Sequence, residues 1–382
     1  MKNYDYLIVG AGLLGATFAW RARQAGKRCL VIDRRTHVGG NAYCEQIEGI
    51  NVHKYGAHVF HTNNDEVWRF VNSFANFNRY TNSPLAYYQG RLYNLPFNMN
   101  TFCQVWGVCT PAEAMRKLEG QREEARATLD AQGAGRPRNL EEQALLLVGR
   151  DIYERLVKGY TEKQWGRPCN ELPPFIIRRL PVRMTFDNNY FDDRHQGIPE
   201  GGYNRLLKGL LKGVEVRLGA NYFDDRNYWD DLAEHMVFTG EIDHFYEHRF
   251  GRLQWRTMRF ETELMTQPNY QGNAVVNYTG SDTPYTRIIE HKHFEAFGND
   301  VYKNPATVVT REYPEEWRND MEPYYPINDN RNQRIYEQYH DLARRQTRVA
   351  FAGRLAEYKY YDMAPTIERA FTLDVEGGTD RG

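Results

Sequence analysis

The fold is decided by residues 4–15, YDYLIVGAGLLG, in which an apolar run ends in the pattern G-x-G-x-x-G. Residues 16–25 then read as a helix, and a second apolar run at residues 29–32 ends in Asp33, 21 residues after Gly12. A strand, a glycine turn, a helix, a second strand and an acid in this order predict the βαβ unit of a dinucleotide-binding domain.

The glycines of this turn each have a physical task. Gly10 permits the tight turn, Gly12 lets backbone N–H groups approach a pyrophosphate, and Gly15 lets the helix pack closely on the sheet. Asp33 would accept a hydrogen bond from a ribose hydroxyl. Glycines that only shape a turn are the alternative, but the flanking strand, helix and acid weigh against it.

A second glycine turn follows the acid and bears on which dinucleotide is bound. Arg34 and Arg35 precede residues 38–42, VGGNA, and an NAD-specific domain has no need of such a turn. The pattern resembles that of the FAD-binding proteins in which R-x-x-x-x-G-G packs a second backbone segment against the cofactor. We therefore predict FAD, with an ordinary loop at Gly39 and Gly40 as the alternative.

The C-terminal part of the chain is predicted to return to the cofactor. Residues 348–354, RVAFAGR, read as a short strand that ends in Gly353 and Arg354. An arginine beside the flavin would stabilise the anionic reduced ring, and a surface arginine paired with an acid is the alternative. The cofactor domain would thus be assembled from both ends of the chain.

Composition excludes several classes of function. The 382 residues carry 49 basic and 50 acidic side chains, which argues against a nucleic-acid partner. No stretch reaches the roughly 18 to 20 continuous apolar residues of a membrane span. The five cysteines include no C-x-x-C pair, and we expect no signal peptide, which fits a reducing cytoplasm and no structural metal.

The middle of the chain predicts two further parts. A capping box at Thr110 and a restart at Asn139 indicate a helical insert over residues 77–166. Alternating stretches predict an antiparallel sheet, and they lie at residues 256–264, 274–278 and 307–311. The prediction is an α/β protein with three parts: a discontinuous FAD-binding Rossmann-like domain (1–76, 200–246 and 322–382), a helical domain (77–166) and an antiparallel sheet substrate domain (167–199 and 247–321).

Six separated blocks, in the right order, carry a more specific signal than any one motif. They are residues 54–62 (KYGAHVFHT), 94–98 (NLPFN), 160–166 (YTEKQWG), 188–191 (NNYF), 285–288 (YTRI) and 353–363 (GRLAEYKYYDM). Together they resemble the UDP-galactopyranose mutases across nearly the whole chain.

The resemblance implies an isomerase that interconverts UDP-galactopyranose and UDP-galactofuranose. In that family N5 of reduced FAD attacks the anomeric carbon of the sugar, with no net redox. A cytoplasmic homodimer that serves cell-surface polysaccharide biosynthesis is also implied, with NAD(P)H or another reductant as electron donor. Acceptance of 2-acetamido sugars stays open.

Site residues follow from the same resemblance. Arg179 and Arg287 match the two arginines that bind the diphosphate, and His58 lies on the loop expected beside the flavin, where it either acts in catalysis or braces the loop. The matched substrate-binding residues are Tyr160, Trp165, Tyr190, Asn277, Tyr325, Tyr360 and Asp362. The expected cofactor-binding residues are Gly10, Gly12, Leu14, Gly15, Asp33, Arg34, Gly40, Asn41, His58, His61, Gly353, Arg354, Asp362 and Met363.

The sequence is compatible with alternatives for one loop, for the register of several site residues and for the function. Residues 167–183 are expected to form a mobile loop that closes over UDP, although their four prolines also fit a static connection. Arg178 and Arg183 compete with Arg179 for the same register, as Tyr324 and Tyr361 do with their neighbours. A flavin-dependent amine oxidase or desaturase is the nearest rival function, and a non-catalytic flavin or UDP sensor is the rival of another class.

Overall fold

The computed structural model describes residues 2–133, 135–178 and 180–376. The chain divides into two compact units, each built from separated segments. Unit 1 consists of Met1–Arg79, Asp193–Thr257 and Trp317–Gly382, and unit 2 consists of Tyr80–Asp192 and Met258–Glu316.

The strands and helices are numbered in chain order. The strands are β1 (Tyr4–Val9), β2 (Cys29–Asp33), β3 (Cys44–Ile47), β4 (Ile50–His53), β5 (Phe60–Thr62), β6 (Leu85–Tyr88), β7 (Arg91–Asn94), β8 (His195–Gly197), β9 (Glu215–Leu218), β10 (Ala233–Phe238), β11 (Trp255–Met265), β12 (Val275–Tyr278), β13 (Arg287–Glu290), β14 (Thr307–Glu316), β15 (Tyr325–Pro326) and β16 (Val349–Phe351). The α-helices are α1 (Leu13–Gln24), α2 (Asp65–Asn72), α3 (Met99–Trp106), α4 (Pro111–Ala131), α5 (Leu140–Ile152), α6 (Lys158–Trp165), α7 (Tyr203–Leu210), α8 (Arg226–Leu232), α9 (Ile242–Phe245), α10 (Asn330–Ala343) and α11 (Met363–Thr372).

Unit 1 contains a five-stranded sheet in the order β16-β10-β1-β2-β9, and all four strand pairings are parallel. Alternate residues of β1 enter different apolar clusters, since Tyr6 and Ile8 pack on one face of the sheet and Leu7 packs on the other. Burial on both faces is typical of parallel sheets in α/β proteins. The predicted Rossmann-like α/β class is confirmed, with the glycine turn at the carboxyl end of β1.

Unit 2 contains a mostly antiparallel sheet. Its strands run in the order β11-β14-β13-β12-β6-β7; the β14–β13, β13–β12 and β6–β7 pairings are antiparallel, and the β12–β6 pairing is parallel. The strands predicted near residues 256–264, 274–278 and 307–311 correspond to β11, β12 and β14. β15 pairs with the first two residues of β11, Trp255 and Arg256, which belong to unit 1.

One part of the predicted helical insert is wrong. Residues 85–94 form the β6–β7 hairpin rather than helix, with a turn in which Gln89 and Gly90 both have positive φ. Two consecutive residues of positive φ match the twist of a two-residue hairpin turn. The hairpin joins the sheet of unit 2 because β6 pairs with β12 far along the chain.

The helices of unit 2 begin where the sequence predicts. Thr110 forms a reciprocal capping box with Glu113 at the start of α4, and Asn139 caps α5 through the backbone N–H of Glu142. One apolar core joins helix and sheet residues, including Ala86 of β6, Phe102 of α3 and Ala144 of α5. Because the parts share this core, they form one compact unit, and the finer division into helical and sheet domains stays a prediction.

Candidate active site

The glycine turns of unit 1 form a cradle that leaves little room for a side chain at Gly10 or Gly40. A Cβ on Gly10, whose φ is +116°, would lie 2.0 Å from Oγ1 of Thr239. A Cβ on Gly40, whose φ is +54°, would lie 3.2 Å from the Cα of Gly12. Gly12 is also the N-cap of α1 and supplies no side-chain cap, so the first N–H groups of the helix face the turn. These residues fit a bound pyrophosphate.

Asp33, the last residue of β2, fixes this loop. Its Oδ2 accepts a hydrogen bond from the N–H of Ala11 at 2.7 Å, and its Oδ1 accepts one from the N–H of Arg35 at 2.9 Å. Each carboxylate oxygen has a second lone pair. The predicted contact with a ribose hydroxyl is therefore compatible with these two bonds.

The two arginines after Asp33 differ in environment. Arg34 is half exposed and bonds Glu322 at 2.7 Å. Arg35 has the larger set of contacts, since it pairs with Glu322 at 3.0 Å, donates to Oδ1 of Asn41 at 3.0 Å and lies 4.3 Å over the ring of Tyr55. The sequence analysis selected Arg34 and Asn41, and the structure adds Arg35 as the arginine that contacts Asn41.

His58 lies in a segment held by backbone contacts. Its Nδ1 is 2.7 Å from the carbonyl oxygen of Gly56, which can only accept, so Nδ1 carries the proton and Nε2 has a free lone pair. Burial lowers the pKa of His58 to about 4, with a smaller contribution from the charge of Arg354. The imidazole is therefore neutral at physiological pH. His61, by contrast, pairs with Asp193 at 2.6 Å.

The C-terminal segment brings four of the predicted residues together. The guanidinium of Arg354 lies 4.8 Å over the ring of Tyr360, and that ring stacks on the ring of Tyr325 at 5.8 Å. The hydroxyl of Tyr360 donates to Asp362 at 2.8 Å. Tyr324 and Tyr361 contact Arg354 through their backbone carbonyls. Of the competing tyrosines, Tyr325 and Tyr360 are thus the ones whose rings stack in this group.

Three predicted cofactor residues, Leu14, Gly353 and Met363, lie in the N-terminal and C-terminal segments of unit 1. A Cβ on Gly353, whose φ is +96°, would lie 3.3 Å from Cδ1 of Leu14, so the segment after β16 lies against α1. Met363 begins α11 directly after Asp362, its N-cap residue. The return of the C-terminal segment to the N-terminal motif is the arrangement that the sequence predicted.

A second group of predicted residues lies in unit 2. Arg287, the first residue of β13, donates from Nη2 to the hydroxyl oxygen of Tyr160 at 2.6 Å. Its Nε lies 3.1 Å from the carboxylate of Glu312, which is almost fully buried. Asn277 pairs with Arg287 across β12 and β13, so both side chains lie on one face of the sheet. Among the described residues, the buried Oδ1 of Asn277 has no hydrogen-bond partner.

Tyr190 and Trp165 are the other predicted substrate-binding residues of unit 2. The backbone N–H of Tyr190 donates to the carbonyl of Asn82 at 2.7 Å. Burial raises the pKa of Tyr190, the nearby hydroxyl of Tyr160 adds to the shift and the charge of Arg287 opposes it. Trp165 is the last residue of α6 and packs against the apolar core of unit 2. Tyr160, Tyr190 and Arg287 are therefore close enough to influence one another's charge.

The competing arginines of the 167–183 segment are partly separated by the structure. Arg179 lies outside the described residues. Arg183 is engaged, because it bonds the backbone carbonyl of Asn189 and the carboxylate of Asp192. Arg178 is exposed. Arg183 thus anchors the end of this segment, which leaves Arg178 and Arg179 as the candidates for a ligand-binding arginine.

Two residues of unit 2 were missed by sequence reasoning. Glu312 orients Arg287, and Lys163 donates three hydrogen bonds to the segment that joins β12 and β13. Lys163 lies within the 160–166 block between Tyr160 and Trp165. Its position in that block was the available signal, but its partners lie more than 100 residues away.

The described residues contain neither a cluster of metal-binding side chains nor a helix that could span a membrane. Within residues 2–133, 135–178 and 180–376, no group of three or more His, Cys, Asp or Glu side chains could hold a metal ion. In the same ranges, every helix is too short or too polar to cross a membrane.

Comparisons with known proteins agree with this geometry. The family model for UDP-galactopyranose mutases matches residues 155–360, more than half of the chain, and a model for NAD(P)-binding Rossmann-like domains matches residues 8–74. A dTDP-fucopyranose mutase of Escherichia coli is 38% identical over 95% of this chain and 96% of its own. A probable UDP-galactopyranose mutase of Klebsiella pneumoniae is 37% identical over 97% of this chain and 94% of its own.

Solved structures show the same fold at low sequence identity. A crystal structure of reduced UDP-galactopyranose mutase covers 97% of this chain and 93% of its own, with a TM-score of 0.71 and 14% identity. A putative protoporphyrinogen oxidase from Exiguobacterium covers 98% of both chains, with a TM-score of 0.59 and 13% identity.

The fold and the two residue groups define a dinucleotide-binding α/β enzyme with a second unit that carries aromatic and cationic groups. The chain belongs to the UDP-galactopyranose mutase family, whose members are isomerases. Membership of this family implies a flavin cofactor, in keeping with the glycine cradle of unit 1.

Proposed function

We propose that this chain interconverts UDP-galactopyranose and UDP-galactofuranose, with FAD as a cofactor that must be reduced. The observation that carries the proposal is the contact between Arg287 and Tyr160 in unit 2, on a chain whose unit 1 has the glycine cradle of a dinucleotide. A planar guanidinium suits a diphosphate, and an aromatic ring suits a nucleobase. Both are needed to hold a nucleoside diphosphate sugar.

Reduced FAD, if bound at the glycine cradle, would supply an electron-rich N5 as nucleophile for the anomeric carbon of the sugar, with UDP as the leaving group. The residues of this chain then have three tasks: to hold the diphosphate, to place the sugar and to exclude water. Gly10, Gly12 and Gly40 would admit the cofactor pyrophosphate, with Asp33 near its ribose. Arg34, Asn41, Arg354 and Met363 are proposed as further cofactor contacts.

Arg287 and Arg179 are proposed to hold the diphosphate and to stabilise its charge as it leaves. Glu312 orients the guanidinium of Arg287 through Nε at 3.1 Å, and Tyr160 accepts a hydrogen bond from Nη2 at 2.6 Å. A charge-assisted hydrogen bond contributes about 1.5 to 3 kcal/mol. Because charge on the diphosphate grows as the bond to the sugar breaks, these contacts favour the transition state over the ground state.

His58 is proposed to act as a hydrogen-bond acceptor rather than as a cation. Its Nδ1 proton is committed to the carbonyl of Gly56, so Nε2 can accept a hydrogen bond from a sugar hydroxyl. Trp165, Tyr190 and Asn277 are proposed to contact the nucleotide or sugar from unit 2. Tyr325, Tyr360 and Asp362 are proposed to do so from unit 1.

A second candidate substrate has a specific observation in its favour. The relative named dTDP-fucopyranose mutase is as similar to this chain as the relative named for UDP-galactopyranose. A dTDP-6-deoxy sugar differs in the methyl group of thymine, the missing ribose 2′-hydroxyl and the missing sugar 6-hydroxyl. A site that hydrogen-bonds a hydroxyl rejects the analogue that lacks it, whereas a site built for a methyl group discriminates more weakly.

Parallel assays with the two nucleotide sugars distinguish the two candidate substrates. Dithionite-reduced protein is incubated with UDP-galactofuranose or with dTDP-fucofuranose, and the nucleotide sugars are resolved by chromatography. The first proposal predicts conversion of UDP-galactofuranose with the higher kcat/KM. Preference for the dTDP sugar would replace it with the second, and oxygen consumption with an amine substrate would favour the oxidase reading.

The remaining features of the proposal rest on family membership. They are a homodimer, a cytoplasmic location, NAD(P)H or another reductant as electron donor and a role in cell-surface polysaccharide biosynthesis. A segment at residues 167–183 that closes over the nucleotide belongs with them, since closure would keep water from the reacting sugar. A non-catalytic sensor is disfavoured because the family consists of isomerases.

A further inference from the structure

Lys163 makes an unusual set of contacts for a half-buried lysine. Its ammonium group donates to the carbonyls of Tyr278 at 2.8 Å and Tyr285 at 2.9 Å, and to Oγ1 of Thr283 at 3.2 Å. An ammonium has three protons, and all three are donated to one segment, residues 278–286. Burial lowers the pKa of Lys163 to about 8, with an opposing contribution from Asp282, so the group remains mostly charged at neutral pH.

The same segment meets the start of α6 at two further points. Gly159 lies against it so closely that a Cβ would be 2.4 Å from the carbonyl oxygen of Thr279. Oγ1 of Thr279 donates to the carbonyl of Arg155 at 2.7 Å, just before the helix. The 278–286 segment therefore contacts helix α6, or the residues just before it, at Arg155, Gly159 and Lys163. Of these contacts, the hydrogen bonds of Lys163 are the ones made by a charged side chain.

The two fastened elements carry the residues that hold the nucleotide in the proposed function. Helix α6 contains Tyr160 three residues before Lys163 and Trp165 two residues after it. The 278–286 segment leads directly into β13, which begins with Arg287. The hydrogen bond between Arg287 and Tyr160 depends on how the two elements are placed.

We propose that Lys163 is a positioning residue for nucleotide binding, whose three hydrogen bonds hold α6 and the start of β13 in register before the substrate arrives. The inference rests on the proposed function, because it takes Tyr160 and Arg287 as nucleotide contacts. A site held in its bound geometry loses less conformational freedom on binding. Without Lys163 the substrate would have to order the 278–286 segment itself.

Lys292 offers a matched control. It is a buried lysine of unit 2, and its ammonium also donates to three acceptors, the carbonyls of Pro268 at 2.8 Å, Val301 at 3.0 Å and Asn304 at 2.8 Å. It follows the opposite end of β13 from Arg287. Loss of Lys292 therefore removes the same type of contact without loosening the segment that leads to Arg287.

The test compares Lys163→Met, Lys292→Met and the milder Thr283→Val, which removes only one acceptor and carries the test if Lys163→Met does not fold. Hydrogen exchange of residues 278–286 is measured without nucleotide, and the Kd of UDP is measured by calorimetry. We expect Lys163→Met to speed exchange in this segment and to weaken UDP binding on the order of ten- to a hundredfold, as misplaced contacts do. Thr283→Val should change both in the same direction by less, and Lys292→Met should change neither.

The outcomes separate the inference from the proposed function. UDP binding by Lys163→Met that equals wild type overturns the inference alone, and so does an equal loss in Lys292→Met. Wild-type protein that binds no UDP overturns the proposed function, whatever the exchange of the 278–286 segment shows.

Discussion

The Nη2 of Arg287 lies 2.6 Å from the hydroxyl oxygen of Tyr160, which accepts the hydrogen bond and therefore keeps its own proton for another acceptor. An arginine and a tyrosine joined in this way present adjacent donors to an anionic ligand. Glu312 lies 3.1 Å from Nε of the same guanidinium. This pair is the feature of unit 2 on which the proposed nucleotide site depends.

Tyr160→Phe should weaken UDP binding about tenfold, because it removes one hydrogen bond beside a charged group, worth about 1.5 kcal/mol. The Kd of UDP is measured by calorimetry. Tyr302→Phe is the control, since that ring is 59% exposed and belongs to the same unit. Equal affinity of Tyr160→Phe and wild type would remove Tyr160 from the nucleotide site.

Gly40→Ala should lower FAD affinity by about tenfold or more, because its Cβ would lie 3.2 Å from the Cα of Gly12, inside the proposed pyrophosphate cradle. The measurement is flavin retained after gel filtration. Gly26 also has a positive φ, +77°, but open space around its Cβ, so Gly26→Ala and Gly40→Ala both carry about 1 kcal/mol of backbone strain and only Gly40→Ala should lose flavin. Full flavin content in Gly40→Ala would contradict the assignment.

The arginines of the 167–183 segment should separate by phenotype. Arg183→Ala should lower the free energy of unfolding by about 1 to 3 kcal/mol, because it leaves Asp192 and the carbonyl of Asn189 without their partner. Arg178 is exposed, and its replacement by alanine should change stability by less than about 0.5 kcal/mol. Arg179→Ala should keep stability and lose on the order of ten- to a hundredfold in kcat/KM. Urea unfolding and steady-state kinetics decide; a fully active Arg179→Ala would shift the role to Arg178.

The free energy of unfolding should decrease as the pH falls below about 6.5, partly because of His291. This side chain is buried with its Nε2 2.8 Å from Oγ1 of Thr310, and burial lowers its pKa to about 3, with Glu290 opposing the shift. In the unfolded chain a histidine has a pKa of about 6.5. The neutral form is therefore favoured by folding, and this stability is present above pH 6.5 and is lost as the pH falls towards 3.

Between pH 7 and pH 5 this single group should contribute a loss of about 2 kcal/mol in the free energy of unfolding. His291→Gln keeps a polar side chain but cannot titrate, so its stability should decline less over the same interval. Urea unfolding at several pH values checks the difference. Parallel pH profiles for the two proteins would contradict the lowered pKa of His291 in the folded state.

Local patterns of the sequence predicted much of unit 1. The glycine turn, the helix after it and Asp33 lie within one short segment, and each is specified by the residues beside it. The β6–β7 hairpin was missed because its turn is Gln89-Gly90 rather than a strong hairpin signal, and because its place in the sheet depends on β12, far along the chain.

In the candidate site, too, the sequence indicated individual residues but not the contacts between residues far apart in the chain. Tyr160 and Arg287 were proposed from the resemblance, but their hydrogen bond joins residues 127 positions apart, and no periodicity indicates it. Lys163 was overlooked for the same reason, since its acceptors belong to a segment more than 100 residues downstream. Side chains whose role is to hold other side chains become visible only when both partners have been placed.

The proposed isomerisation depends on reduced flavin but consumes no electrons. The most direct test reduces the protein once under anaerobic conditions, removes the reductant, adds UDP-galactofuranose and follows both the nucleotide sugars and the flavin absorbance. We expect many turnovers per flavin, a flavin that stays reduced and the same product ratio from either sugar. Flavin reoxidation in step with substrate consumption, or equal activity of the oxidised protein, would contradict it.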